Sequence, residues 1–344
     1  MTQHEITEAI PLLDARGNLT EPGWARSLLP VYNREAITAG RMRVKEWDYY
    51  LIANDHRALA LTIDDNGYMG LDSVSVMDFE KKTETTVSPI IPFTMGRRNL
   101  PRSSAAGDIA VAGKSYALSF RHEGGRRLLH AEMKNFGGRG ALLADIILSD
   151  EPGDSMVICT PFAKDGHFYY NQKINCLRAE GQVTVGEEQF TFRPEDSFAV
   201  LDWGRGVWTY KNTWYWGSGS GLDTQGNVFG FNIGYGFGDT SRASENMLFF
   251  NGAGHKLSQV TFNIPQKDGR DDYLSPWTFT SDDGRFEMDF LPILDRKSNT
   301  NALLIQSDQH QVFGRYSGKA VLDDGRVVEI RDFIGFAEKV KNRW

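Results

Sequence analysis

Asp202 and Arg205 stand three residues apart in Leu201-Asp202-Trp203-Gly204-Arg205-Gly206-Val207-Trp208, and Trp214-Tyr215-Trp216-Gly217 follows closely. A guanidinium fork pairs well with a carboxylate, so one expectation is a buried ion pair pinning a junction. The other is chemical: Asp202 as a general acid, with Arg205 as polar anchor, in a pocket walled by Trp203, Trp208, Tyr215 and Trp216. A carboxyl beside indole rings loses hydration and stays protonated toward neutrality. Such an acid suits cation-forming chemistry on alkenes, with aromatic faces stabilising the developing charge. Glu245 offers a second acid, with Asn246 beside it and His255 on a neighbouring strand as polar ligand contacts. The plainer expectations are an edge carboxylate for Glu245 and a strand-end surface histidine for His255. Glu338 is expected to pair with Arg343 or another base near the C-terminus.

Other chemistries find little support. His122, His130 and His167 have no metal-ligand spacing such as HxH or HExxH, so no metal is expected. There is no GxSxG elbow and no Walker loop. Gly217-Ser218-Gly219-Ser220-Gly221 follows aromatics and precedes no helix start, so it reads as closely packed strand and not as a phosphate cradle. No cofactor is implied. The formal net charge of −7 argues against a nucleic-acid partner, which needs a basic face. No apolar run is long enough for a membrane helix, and the polar N-terminus lacks a secretory pattern. Cys159 and Cys176 have no CxxC spacing and read as buried thiols in a reducing cytoplasm.

The elements that position these residues are strands. The chain has 344 residues, enough for two domains, and its 35 glycines imply many turns. Residues 1–40 read as an irregular arm, with a helical turn over Trp24–Leu29. Trp47–Ala53 is an aromatic-rich strand, and Ala58–Ile63 pairs with Tyr68–Phe79 across Asp64-Asp65-Asn66-Gly67. Residues 83–104 carry three prolines and read as a long connection, or as a lid or pocket rim. Further hairpins join Lys114–His122 to Arg126–Met133, Val183–Val185 to Phe190–Phe192, and Val312–Leu322 to Arg326–Ile330. Gly230, Gly234 and Gly236 alternate with Phe229, Phe231, Ile233 and Tyr235, which lets another backbone or a ligand come close. Phe286–Leu291 reads as a strand ended by Pro292, and Gly335–Trp344 as a short helical tail. Strands without helical crossovers argue for antiparallel barrels or sandwiches.

An internal repeat sharpens this. Gly181 opens a hairpin that runs on to Asp202, Arg205 and Trp208, and Gly318 opens one that runs on to Glu338, Arg343 and Trp344. Duplication makes two similar β domains, with the Trp-rich stretch at their junction.

Leu201–Gly206, Trp214–Gly217, Glu245-Asn246 and Gly335-Phe336-Ala337-Glu338 with Asn342-Arg343-Trp344 resemble the bacterial family designated DUF2804. That family looks distantly related to proteins with two lipocalin-like β domains: AttH-like proteins, carotenoid 1,2-hydratases and tocopherol cyclases. The resemblance implies an all-β fold of two lipocalin-like antiparallel barrel or sandwich domains with short peripheral helices. It transfers no catalytic residue.

The expected organisation is an arm (1–40), a first β domain (41–197) and a second (198–344) in a cytoplasmic protein. The expected function is binding of a hydrophobic small molecule, such as a lipid, isoprenoid or polyketide, near the junction. The alternatives are a cofactor-independent hydratase, isomerase or cyclase using an acid there, and a structural or interaction protein without such a site. Ligand identity and oligomeric state stay open.

Overall fold

The period-two alternation of apolar residues becomes two curled antiparallel sheets in a computed structural model describing residues 3–302 and 305–343. Eight strands dominate the first: β1 (Val44–Ala53), β2 (Arg57–Asp65), β3 (Met69–Asp78), β4 (Tyr116–Glu123), β5 (Arg126–Met133), β6 (Leu142–Ser149), β7 (Phe168–Val185) and β8 (Phe198–Val207). Eight more dominate the second: β9 (Lys211–Leu222), β10 (Val228–Tyr235), β11 (Met247–Phe250), β12 (Val260–Asn263), β13 (Trp277–Ser281), β14 (Phe286–Ala302), β15 (Ile305–Val321) and β16 (Val327–Arg343). The first sheet is ordered β3-β2-β1-β8-β7-β6-β5-β4 and the second β11-β10-β9-β16-β15-β14-β13-β12. Each strand of the first has its counterpart eight labels later, so the repeat is a repeat of topology. The result is a double lipocalin-like fold of two half-barrels.

The repeat's two opening glycines do the same physical work. Gly181 and Gly318 have φ of +148° and +153°. A Cβ at Gly181 would sit 2.1 Å from the Asp145 carbonyl oxygen, and one at Gly318 2.2 Å from that of Glu287. Each marks the place where a long strand presses onto its neighbour. Trp344, which closes the repeat in sequence, lies outside the described residues.

Each half-barrel fills its concave face with its own core. Tyr50, Leu61, Phe120, Ile146 and Trp203 belong to the first. Phe229, Phe231, Phe279, Phe290 and Tyr316 belong to the second. The convex faces of β1, β7 and β8 pack on those of β9, β10, β15 and β16. Asn175 on β7 donates to Ser218 Oγ and to the Phe231 carbonyl, and Phe79 meets Phe313. Gly230 of β10 serves this contact, since a Cβ there would lie 2.5 Å from Cys176 Sγ; one at Gly234 would lie 2.9 Å from a Glu245 carboxylate oxygen of the same half. Cys159 and Cys176 are both free and buried.

Three local expectations are corrected. Gly23–Ala25 is a strand paired with Val157–Cys159, because Trp24 and Ala25 are buried and the extended backbone lets the sheet satisfy them. Pro292 does not end its strand; β14 passes through it with a register shift between Pro292 and Leu294, which accommodates the missing N–H. The C-terminal segment is strand β16, whose alternate residues Ile334, Phe336, Glu338 and Val340 are all buried between the sheets. The only helices among the described residues are 3-10 turns at Arg34–Ala36 and Arg41–Arg43.

Candidate functional site

Strand β8 decides the geometry. Successive side chains of a strand point to opposite faces, so positions 202 and 205 are on opposite sides of the sheet. Asp202 and Arg205 therefore do not pair, which corrects the expectation drawn from their spacing. The i, i+3 relation makes neighbours on a helix, not on a strand.

Arg205 points into the first half-barrel and is fully buried. Its Nη2 donates to Asp48 Oδ1 at 2.9 Å and to the Pro101 carbonyl at 2.8 Å, and its Nη1 donates to the carbonyls of Trp47 and Gly204. Glu46 is 3.9 Å away and is itself held by Arg34 and the Tyr32 hydroxyl. The guanidinium lies 4.2 Å from the centroid of Trp203, whose ring packs edge-on against Tyr170. Arg205 and Trp203 thus form a closed, charge-balanced lock. It also bolts down the Pro-rich connection through Pro101.

Asp202 points the other way, into the layer between the sheets. Lys173 Nζ, from the adjacent position on β7, is 2.8 Å from its Oδ1, and Asn171 Nδ2 donates to the same oxygen at 2.6 Å. The Lys173 ammonium lies 3.8 Å from the Trp216 ring centroid on the opposite sheet. Tyr49, next to Asp202 on β1, packs edge-on against Trp216. Facing this row is its counterpart from the repeat, Trp216, Glu338 and Gln311 on β9, β16 and β15. Glu338 accepts from Trp214 Nε1 at 2.8 Å and from Gln311 Nε2 at 3.1 Å, and Arg296 donates to Gln311 from the rim. Glu338 thus pairs with indole and amide, not with Arg343. Glu245 completes the group and accepts from the Tyr169 hydroxyl.

Three acids, Asp202, Glu245 and Glu338, share this layer with the Lys173 ammonium, and Lys256 and Arg296 add positive charge beside Glu245 and Glu338 respectively. Burial pushes the Glu245 carboxyl up to about 7; Lys173 opposes the shift and Asp202 adds to it. Burial likewise pushes Glu338 up to about 7, against the Trp214 hydrogen bond and Lys173. Burial raises the Tyr169 hydroxyl well above its ordinary range, and the nearby acids add to this. Tyr49, Tyr169, Asp202, Trp216, Glu245 and Glu338 keep only 4–8% exposure, as do Leu51, Val200 and Ile334 in the same layer.

One pleat along the same strands, Leu51, Val200, Ser218, Phe313 and Phe336 enclose a cavity of about 20 Å³ that is mostly apolar. On the other side Trp208 packs with Trp47, Trp214 and Phe237 at centroid distances of 5.2, 5.6 and 4.7 Å. A separate groove of about 750 Å³ lies over β5–β7, lined by residues such as Arg121, His130, Asp145 and Arg193.

Of the residues singled out by sequence, Asp202, Glu245, Trp208 and Trp216 come together here. Trp203 and Arg205 sit in the first half-barrel. Tyr215 faces the second, stacked on Tyr235 at 4.4 Å. Asn246 ties strands, accepting from Gly234 N and donating to the Ser258 carbonyl. His255 pairs with Asp323 in a turn. Sequence reading missed Lys173, Tyr49, Tyr169 and Gln311. Lys173 carried a signal, since a lysine between Phe168-Tyr169-Tyr170 and Ile174 in a strand needs a partner if it is buried. Among the described residues no group of three or more His, Cys, Asp or Glu is placed to hold a metal ion. No described helix is long and apolar enough to cross a membrane.

The chain belongs to the family described as "Domain of unknown function (DUF2804)", matched over residues 3–344. No curated protein sequence matches it. Among solved structures it is similar to a protein provisionally assigned as AttH from Nitrosomonas europaea, with 13% identity, TM-score 0.53, and coverage of 86% of this chain and 92% of that one. It also aligns with kievitone hydratase from Nectria haematococca, at 12% identity, TM-score 0.46 and coverage of 96% and 98%. CghA in complex with Sch210972 aligns at 11% identity, TM-score 0.49 and coverage of 96% and 97%. At such identities the likeness to the AttH protein speaks for the fold alone.

Proposed function

We propose that this DUF2804 protein binds an apolar small molecule with a polar head group in the layer between its two sheets. The head group sits at Lys173, Asp202, Glu245 and Glu338. The apolar part lies one pleat along, against Leu51, Val200, Phe313 and Phe336, with Trp216 as the dividing wall. The supporting observation is the gathering of three buried carboxyls and the Lys173 ammonium between the sheets, beside an apolar cavity lined by Leu51, Val200, Phe313 and Phe336. Two sheets that only needed to adhere would fill this layer with apolar side chains, because buried acids cost stability. The layer as it stands is nearly closed, so binding widens it. Lipid, isoprenoid and polyketide skeletons fit this description.

One observation favours a second reading, acid catalysis on the bound molecule: Glu245 and Glu338 hold their protons up to about 7. A protonated carboxyl donates its proton to an alkene carbon and becomes a carboxylate. The Trp216 face stabilises the cation. The carboxylate then takes a proton from the adjacent carbon, giving isomerisation, or from an adding water or hydroxyl, giving hydration or cyclisation.

Organic extraction of the protein from its native host, followed by mass spectrometry, is expected to yield one apolar species in near-stoichiometric amount. Trp216→Ala should lose it. An empty extract from folded wild-type protein overturns the binding reading. Incubating the recovered species with the protein in heavy water separates binder from catalyst. Carbon-bound deuterium that disappears in Glu245→Gln or Glu338→Gln marks the catalyst, whereas binding without exchange leaves a carrier.

A further inference from the structure

The end of the first half-barrel at the β2–β3 turn carries an apolar, basic tip. Residues 90–92 (Ile90–Pro92) pair with β3, placing Ile90 opposite Leu71 and Pro92 opposite Met69 on one face. Phe93 N donates to the Tyr68 carbonyl and Met95 N to that of Gly67, so the next residues lie along the β2–β3 turn. The 3-10 turn Arg41–Arg43 closes over the same turn: a Cβ on Gly67 would lie 2.9 Å from the Cα of Met42. Three segments thus converge, and Ile90, Phe93 and Met42 remain 63%, 60% and 51% exposed.

Two features separate this tip from ordinary scattered surface hydrophobics. Phe93 and Met95 both have φ of +53°, a left-handed conformation that bulky side chains avoid. The backbone is held in a disfavoured state with the Phe93 ring in solvent, the reverse of what burial would reward. The local charge is also one-signed at the surface. Arg41 and Arg97 are exposed beside the apolar residues. The nearby carboxylates are buried and engaged: Asp64 by Asn66 and Leu71 N, Asp65 by Thr94 and Gly67 N, and Asp72 by Arg98 and Tyr116. A chain of net charge −7 presents arginines around its projecting apolar residues.

We infer that this tip docks on an anionic lipid surface, with Phe93, Ile90 and Met42 entering the interface and Arg41 and Arg97 meeting the head groups. Apolar insertion and basic attraction each bind weakly alone and together give reversible peripheral attachment. The inference stands independently of what occupies the layer between the sheets.

Co-sedimentation of the full chain with vesicles tests it. One vesicle set is phosphatidylcholine alone and the other contains added phosphatidylglycerol. The wild type is expected to pellet with the anionic set at low salt and to be released by high salt. Phe93→Asp should weaken binding roughly tenfold, and Ile90→Ser and the pair Arg41→Glu, Arg97→Glu by a similar factor. Aspartate tolerates the left-handed conformation, so the melting temperature of Phe93→Asp should not fall. Leu274→Asp, which alters an equally exposed apolar residue on the second half-barrel, should bind as wild type. A wild type that stays in the supernatant overturns the inference. So does pelleting that ignores lipid charge, or a Phe93→Asp variant indistinguishable from Leu274→Asp. Partitioning onto a protein partner with no vesicle binding overturns it equally.

Discussion

The two faces of β8 place similar side chains in opposite physical situations. Toward the first half-barrel, Arg205 has Asp48 and Glu46 for charge, three carbonyls for its remaining donors, and no exposure. Toward the second sheet, Asp202 has Lys173, whose ammonium also acts on the buried carboxyls of Glu245 and Glu338, with Lys256 and Arg296 at the sides. On the inner face the charges are paired, and they lock the Pro-rich connection. The outer face carries more acid. A buried site with carboxyls in excess stores protons, whereas a charge-balanced one holds the fold.

The contrast is easiest to break at Arg205. Arg205→Met should cost about 3–5 kcal/mol in chemical denaturation, because Asp48 is left buried without its hydrogen-bonded counter-charge. A loss below about 1 kcal/mol would remove the distinction between the faces. The acids come next. The folded-state values of Glu245 and Glu338, about 7, lie above the ordinary 4.5, so the native chain holds protons that the unfolded chain has released. Stability is therefore fullest at low pH in this window, falls as pH rises from about 4.5 to 7, and levels off above that. Each acid contributes on the order of 3 kcal/mol to that fall. Glu245→Gln should flatten its share, leaving the variant more stable than wild type at about pH 8, read by melting curves across pH. A melting temperature that rises with pH through this window would show that the acids are ionised in the fold. The smallest effects test the pairing itself. A double-mutant cycle between Asp202→Asn and Arg205→Met should give coupling below about 0.5 kcal/mol. The cycle between Asp202→Asn and Lys173→Met should exceed about 1 kcal/mol, and equal couplings would undo the assignment of faces.

Much of this was legible in the chain. The Asn66-Gly67 and Asp324-Gly325 turns marked hairpins, and β2–β3 and β15–β16 are where those signals put them. The glycines of β10 announced a close approach, which Cys176 and Glu245 supply. The opposite orientation of Asp202 and Arg205 was readable too, once Leu201–Val207 is taken as a strand. The tail misled because Ala337-Glu338-Lys339-Val340-Lys341 has local helical preference, and pairing with β9 and β15 on both sides overrides it. Lys173 and Tyr169 are set near Asp202 by the register of β7 on β8, which spacing along the chain does not give, and Gln311 reaches the group only when the two sheets face each other.

Local rules therefore determined the strands, the turns and the duplication by sequence alone, since alternation, glycine and short-range repeats act within a few residues. That Glu245 and Glu338 meet Lys173 and stay protonated toward neutrality was decided only when the two sheets closed on one another. Their desolvation and their reach to a lysine of the other sheet are properties of that contact, not of any segment of the chain.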